Sequence, residues 1–270
     1  MEDNSLDLRI VSLDTLVLHE REEIDRREIL IERITDEGIL RNPIVAAAIG
    51  DGDRLLILDG VHRYFALKHL GCKDTLVQVV DYHDESIQLY TWCRLIPDLP
   101  NFFTKIKALG LRTRRMREED DVATFKSGTA YGYVREANRS STLIEGDNLS
   151  LDEKTEKLQQ ILNSNGGLPR VRYEDMDRYL KSGEVEGGFV VGIYTKDDVV
   201  KLAGSKTKLP AGTTRHIIPG RVLNIDVSID LLKADTSVEK KNELLAKRIK
   251  RLATEGRIRY YPESVWLFDE

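Results

Sequence analysis

The chain is poor in cysteine: among 270 residues it has only Cys72 and Cys93. That pair makes no metal-binding pattern, and it reads as two packed thiols in a reducing compartment, not as a disulfide framework. No apolar run approaches membrane-spanning length, and the acidic start Met1-Glu-Asp-Asn-Ser5 does not read as a signal peptide. A cytoplasmic protein with no membrane partner is therefore expected. Several catalytic devices are missing as well. There is no G-x-x-x-x-G-K-[ST] loop, no protein-kinase signature set, no H-E-x-x-H helix and no G-x-S-x-G elbow. A basic excess is also absent: 41 Lys and Arg against 46 Asp and Glu leave a net charge of −5. That balance argues against broad nucleic-acid binding, which rests on neutralising phosphates. One basic stretch, Lys105, Lys107, Arg112, Arg114, Arg115 and Arg117, is followed at once by Glu118-Glu-Asp-Asp121. Opposite charges in such close succession read as a self-screened surface, so nucleic acid is not an expected partner.

What remains is an ordinary soluble composition, 41% hydrophobic and 32% charged, with length for one large domain or two modest ones. The pattern is α/β (α+β). Ile10-Val11 and Leu16-Val-Leu18 read as extended. Glu22 to Glu37 reads as a helix with Ile24, Ile31 and Ile34 on one stripe, ended by Gly38. Pro43 opens a strand over Ile44–Ile49, and Gly50-Asp-Gly-Asp53 turns it into a second strand, Arg54–Leu58. Leu76–Val80 is a further strand, and Ile87 to Trp92 is a candidate for one more. Pro97 and Pro100 mark a boundary near residue 96. Beyond it, Ser150-Leu-Asp-Glu153 is a capping box for a helix with Leu158, Ile161 and Leu162 inward, ended by Asn163-Ser-Asn-Gly-Gly167. Gly187–Tyr194 reads as a strand, Thr195 with Asp198 as the cap of a helix through Leu202, and Lys208 to Gly220 as a loop. Val238 to Glu255 reads as a basic helix with Leu245, Ile249 and Leu252 on one stripe. The expected organisation is a domain over 1–95, a second mixed α/β domain over 96–235 and a helical extension over 236–270.

Chemistry concentrates at Asp59-Gly60-Val61-His62-Arg63, where the strand gives way to a short helix stopped by Gly71. The first amides of such a helix, its positive dipole end and the cations of His62 and Arg63 would converge on an anion, a phosphate above all. The same residues also suit a plain strand–helix turn, with Asp59 as N-cap and Arg63 in solvent. Of five histidines, His19, His62 and His216 sit beside Glu20, Arg63 and Arg215. With them stands a hydroxyl- and cation-rich loop, Thr213-Thr-Arg-His216. Phosphoryl transfer needs donors on the phosphate oxygens, Mg²⁺ to neutralise charge and a carboxylate to take the nucleophile's proton, and this inventory contains candidates for each.

Gly60-Val-His-Arg63-Tyr-Phe-Ala66 satisfies the G-x-x-R-x-x-A box of the ParB/sulfiredoxin superfamily, and a helix, Asn42-Pro-Ile44 and a hairpin precede it in that superfamily's order. Within the superfamily the chain most resembles the free L-serine kinases. Four motifs carry the closer likeness: Leu18-His-Glu20, Leu58-Asp-Gly-Val-His-Arg63, Tyr90-Thr-Trp92 and Thr213-Thr-Arg-His-Ile-Ile-Pro219. They span most of the first 230 residues; the helix after Asp235 lies outside the resemblance. Val61 stands where sulfiredoxins place their reactive cysteine, and ParB proteins usually carry Glu-Arg-Arg after the box glycine, with a helix-turn-helix domain that residues 100–200 do not suggest.

The resemblance implies a kinase that transfers a phosphoryl group from ADP or ATP to the hydroxyl of free L-serine. It implies Glu20 as general base, Asp59 as a Mg²⁺ ligand or an aid to proton transfer, and Gly60, Val61, His62 and Arg63 as the nucleotide-phosphate cradle. Trp92 would wall the amino-acid pocket, and Thr213, Thr214, Arg215 and His216 would hold the substrate carboxylate or the phosphate in transfer. Partners would then be small molecules, with a monomer or homodimer expected. The alternative is a ParB-like nucleotide-binding DNA regulator without kinase activity, supported by the basic stretch at 105–117 and the basic helix at 238–255.

Overall fold

The computed structural model describes residues 6–50, 52–116, 130–146 and 150–261, and its fold is mixed α/β, as expected. By internal packing the chain forms two compact units. The first takes in the chain up to Val17, Glu22–Ile87 and the chain from Ile218 onward; the second takes in Leu18–Arg21 and Gln88–Ile217. This differs from the contiguous division expected at residues 95 and 235. The break falls at 87/88, and the described residues from Ile218 onward group with the first unit.

In the first unit the sheet is built on Asp7–Ser12 (β1), Leu16–Val17 (β2), Ile44–Ala48 (β4), Leu55–Asp59 (β5) and Asp74–Val80 (β6), in the order β1-β6-β4-β5-β2. A pair of short strands, Ile39–Leu40 (β3) and Val227–Ser228 (β15), lies outside it. β4 and β5 are the arms of the expected hairpin, antiparallel with Ala46 opposite Ile57; the turn residue Asp51 lies outside the described residues. β4 runs parallel to β6 and is buried over most of its length, which is why it reads as a continuous apolar run and not as an alternation. Ile24–Glu37 (α1) ends at Gly38 in the left-handed conformation that glycine favours, as its sequence predicts. Its expected stripe is only partly inward. Ile34 is buried, but Ile24, in the exposed first turn, is not. Val61–His69 (α2) is the short helix expected between the Asp59–Arg63 corner and Gly71. Ile229–Lys233 (α7) is followed by Val238–Thr254 (α8), the basic helix of the sequence reading. α8 lies against β1: the Asn242 side chain accepts from the Ile10 N–H and donates to the Ile10 carbonyl, each at 2.8 Å. Beside it, Lys241 is fully buried and donates to Asp74 Oδ2 at 2.5 Å.

The second unit carries an antiparallel sheet made from Cys93–Ile96 (β8), Thr113–Arg115 (β9), Ala130–Glu136 (β10), Ser141–Glu145 (β11), Arg170–Val171 (β12) and Gly187–Val191 (β13). Its strand order is β12-β8-β13-β10-β11-β9. Leu99–Ala108 (α3), Leu151–Ser164 (α4), Tyr173–Ser182 (α5) and Lys196–Gly204 (α6) accompany it. Phe102 and Ile106 of α3, Leu158 and Ile161 of α4 and Phe189 of β13 share one core, so the predicted inward face of α4 is the observed one. Both predicted capping boxes, Ser150 with Glu153 and Thr195 with Asp198, are formed. One segment differs from its reading: Thr214–Ile217 (β14), expected as loop, is a strand paired antiparallel with Gln88–Thr91 (β7). Threonine and isoleucine have the β-branched side chains that suit a pleated strand, and the glycine and proline spacing around them concealed it.

Candidate active site

In the first unit, β5 ends at Asp59 and the chain swings into α2 through Gly60, whose φ of 106° is a conformation that side-chain-bearing residues rarely adopt. A Cβ at Gly60 would lie 2.9 Å from both Nε and Nη2 of Arg63, so the guanidinium folds back over the glycine. From there Arg63 Nη2 donates to Asp59 Oδ2 at 2.5 Å, and Nη1 donates to the Asn42 carbonyl at 3.4 Å. Arg221 donates to the same Asp59 oxygen. The plain-turn reading of this corner is therefore overturned. The N-cap is Gly60, Asp59 bridges two guanidinium groups, and the Arg63 side chain is only 15% exposed. Burial pushes the Asp59 carboxyl up, but the charges and hydrogen bonds of Arg63 and Arg221 outweigh it and hold the group below its ordinary value. His62 follows on α2, its Nε2 3.9 Å from Glu23 Oε2. The first-turn amides of a helix have no intrahelical acceptor, so amides and guanidinium charge meet at one corner. Sequence reasoning missed Arg221. It follows Pro219-Gly220 and belongs to no motif, and only the return of the chain to the first unit brings it to Asp59.

In the second unit, Glu20 is nearly buried and its backbone forms a single parallel bridge with Leu209. Its carboxylate is gripped by the loop that leads into β14. Oε1 accepts from the Thr213 N–H at 3.1 Å, the Thr214 N–H at 2.5 Å and the Thr214 hydroxyl at 2.6 Å; Oε2 accepts from the Gly212 N–H at 3.0 Å. The loop is held in turn. Arg94 Nη2 donates to the carbonyls of Ala211 and Gly212, both at 2.9 Å. Gly212 has φ 61°, and a Cβ there would lie 1.7 Å from Arg170 Nη1. Burial raises the Glu20 carboxyl above its ordinary value; the Thr214 and Gly212 hydrogen bonds and the Arg170 charge oppose that rise without cancelling it. A carboxylate so placed is a stronger base than one in water.

The remaining expected residues of this unit gather on the same loop and strand pair. The Trp92 N–H donates to the Thr213 carbonyl at 3.0 Å. The Arg215 guanidinium lies over the Trp92 ring, 5.3 Å from its centroid. His216 meets His19 edge to face, with centroids 5.6 Å apart. The two threonine hydroxyls are engaged by the protein itself: Thr213 donates to the Pro210 carbonyl at 2.7 Å, and Thr214 to Glu20. Polar groups for a bound amino acid would then come from Arg215, His216 and the backbone. Glu20, Trp92 and Thr213–His216 thus belong to the second unit, and Asp59, Gly60, Val61, His62 and Arg63 to the first.

Among the described residues no three His, Cys, Asp or Glu side chains converge as a ready-made cation cage. Magnesium does not require one, since it is commonly held by one or two carboxylates together with substrate phosphates. Asp59 meets that limited demand while sharing its Oδ2 with two arginines. The features that favoured a DNA regulator are partly absorbed by the fold. Arg112 and Arg114 pair with Glu145, Arg115 pairs with Glu136, and Lys241 is buried. Arg117 and Glu118–Asp121 lie outside the described residues. No helix among the described residues is long and apolar enough to cross a membrane.

No family model matches the chain. The resemblance to the free L-serine kinases is borne out by individual proteins. The chain is 28% identical to the ADP-dependent L-serine kinase SerK of Thermococcus kodakarensis, over 84% of this chain and 93% of that one. It is equally 28% identical to the ATP-dependent L-serine kinase SbnI of Staphylococcus aureus, over 97% of each chain. Among solved structures, a free serine kinase in complex with AMP superposes with a TM-score of 0.70 at 25% identity, over 84% of this chain and 94% of that one.

Proposed function

We propose that the chain is a phosphotransferase that moves a phosphoryl group from ADP or ATP to the hydroxyl of free L-serine, giving O-phospho-L-serine. In the reaction a bond forms between the serine oxygen and the terminal phosphorus of the nucleotide. The bond from that phosphorus to the bridging oxygen breaks, and the serine proton passes to Glu20. Phosphoryl transfer is driven mainly by positioning and charge stabilisation, which suits the Asp59–Arg63 corner. There the α2 amides, His62 and Arg63 would hold the nucleotide phosphates. Magnesium, when bound with the nucleotide, would neutralise phosphate charge, with Asp59 as its protein carboxylate. Trp92, Arg215 and His216 would hold the amino acid.

The observation that carries this reading is the state of Glu20: nearly buried, gripped by successive amides, and pushed upward in proton affinity by burial. A serine hydroxyl is far too weak an acid to ionise unaided at neutral pH, and such a carboxylate can take its proton as the new bond forms. The similarity to both ADP- and ATP-dependent serine kinases supports the reaction class and leaves both donors in play. The test is direct. The purified chain is incubated with serine, Mg²⁺ and each nucleotide in turn, and O-phosphoserine is sought by mass spectrometry. No phosphoserine with either nucleotide refutes the proposal, and salt-sensitive binding to duplex DNA would then favour the regulator.

A further inference from the structure

A buried carboxylate makes a useful base only if its ionised form is supported and one oxygen stays ready for the incoming proton. The neighbours of Glu20 supply both conditions asymmetrically. Among the described residues Oε1 takes three donors and Oε2 one, the Gly212 amide. The third donor to Oε1 is the Thr214 hydroxyl, and that hydroxyl also lies 2.8 Å from His19 Nε2. A hydroxyl has one proton and an ionised carboxylate can only accept. With the Thr214 proton on Glu20, the contact to His19 must run the other way, from a protonated Nε2 to the hydroxyl lone pair. The opposite tautomer would turn Nε2 into an acceptor and draw the Thr214 proton off Glu20.

We propose that His19 and Thr214 are positioning residues for Glu20: His19, donating from Nε2, fixes the Thr214 proton on Oε1, so that Oε2 is the oxygen that receives the substrate's proton. The inference rests on the reading of Glu20 as general base and gives Thr214 a duty other than substrate binding. It stands on a hydrogen-bonded chain in which His19 is 1% and Glu20 8% exposed, a setting where a competing water has little access. Among the described residues, the charged or titratable groups facing this hydrogen-bonded chain include Arg170 of β12, whose charge favours the ionised carboxylate, and Tyr194, buried ahead of α6 and sensitive to the Glu20 charge. His216 of β14 lies against the His19 ring, and Arg94 of β8 holds the carbonyls on the far side of the loop. The Thr214 hydroxyl is the strongest of the hydrogen bonds that favour Glu20 ionisation.

The test uses the full chain and the pH dependence of kcat for serine phosphorylation. Thr214→Val keeps the side-chain shape and removes the hydroxyl. It is expected to lower kcat at neutral pH by about tenfold to a hundredfold, the usual worth of a hydrogen bond to a charged group, and to move the acid limb of the profile to higher pH. Thr214→Ser restores most of kcat and returns the limb. His19→Gln, which keeps a donor near the Nε2 position, retains more activity than His19→Phe, while the KM for serine changes little in any of them. A merely structural role would not produce a shifted limb with serine rescue. An unshifted limb in Thr214→Val, or equal activity in His19→Phe and His19→Gln, overturns the proposal. If Thr214→Val does not fold, the two His19 variants decide it alone. Failure of the base reading looks different: Glu20→Gln would then turn over normally and keep its acid limb.

Discussion

Replacing Glu20 with glutamine tests the proposed chemistry most sharply, because the structure separates its catalytic from its structural cost. Glutamine keeps one acceptor oxygen. Placed at the Oε1 position, that oxygen retains the Thr213 amide, the Thr214 amide and the Thr214 hydroxyl. The NH₂ group then faces the Gly212 N–H, donor against donor, and the 3.0 Å bond is lost. Leaving a buried donor unmatched costs about 1–3 kcal/mol, which for a chain of this size lowers Tm by a few degrees per kcal/mol. Three of four bonds survive, so the loop and the KM for serine should change only modestly. The general base itself is lost, and kcat should fall roughly 10²–10⁴-fold. The wild-type kcat should also decline as pH drops through the raised proton affinity of Glu20, above the range of an ordinary carboxylate; the variant has no group to titrate there and loses that limb.

Stability carries its own sign. Folding raises the proton affinity of Glu20, so the folded state gains relative stability while the group is protonated and loses it as pH climbs through the raised value. The glutamine variant lacks this slope. Its deficit in Tm relative to wild type should therefore be largest in acid and shrink toward neutral pH, as followed by calorimetry. A variant with kcat within a few-fold of wild type, or with the acid limb intact, refutes the role of Glu20.

Three further outcomes follow from the first unit. Arg221→Ala removes one of the two guanidinium groups on Asp59 and should raise the KM for nucleotide about tenfold or more while leaving that for serine nearly unchanged, as read by steady-state kinetics. Gly60→Ala forces a Cβ into the Arg63 guanidinium at φ 106°, a conformation costing about 1–2 kcal/mol for an alanine; nucleotide affinity by calorimetric titration should drop more than Tm does. Lys241→Met leaves Asp74 buried without its cation and should cost about 3–5 kcal/mol in urea unfolding, whereas the double variant with Asp74→Leu should recover most of that loss.

How much of this could be read from the residues depended on how local the determining contacts are. The β4–turn–β5–α2 frame was legible because each step has its own nearby signal: Pro43 before the strand, the glycine-rich turn, and Gly71 after the helix. The two capping boxes were legible for the same reason, since cap and partner lie three residues apart. Arg221 and Lys241 were not. Their partners Asp59 and Asp74 lie 162 and 167 residues away, and nothing near either cation announces it. The basic helix α8 therefore read as support for a DNA regulator when one of its lysines is fully buried. The division into units escaped a contiguous reading for a related cause: the segment from Ile218 onward returns to the unit whose five-stranded sheet was laid down at the start of the chain.

Glu20 and His19 show a different limit. Successive residues of a regular strand point to opposite faces, so a strand reading of this segment would send one of the two side chains away from any site the other reached. Both meet the Thr214 hydroxyl. The backbone can do this because the segment is no strand: among the described residues its one ladder contact is the bridge at Leu209, with the His19 carbonyl accepting from the Leu209 N–H and the Arg21 N–H donating to the Leu209 carbonyl, each at 2.8 Å. One bridge fixes the position of the segment and leaves its side chains free of the strict alternation that a longer pairing would impose. Extending the pairing on either side would restore that alternation and pull His19 from Glu20. The brevity of this contact is thus what lets two neighbouring side chains share one hydroxyl.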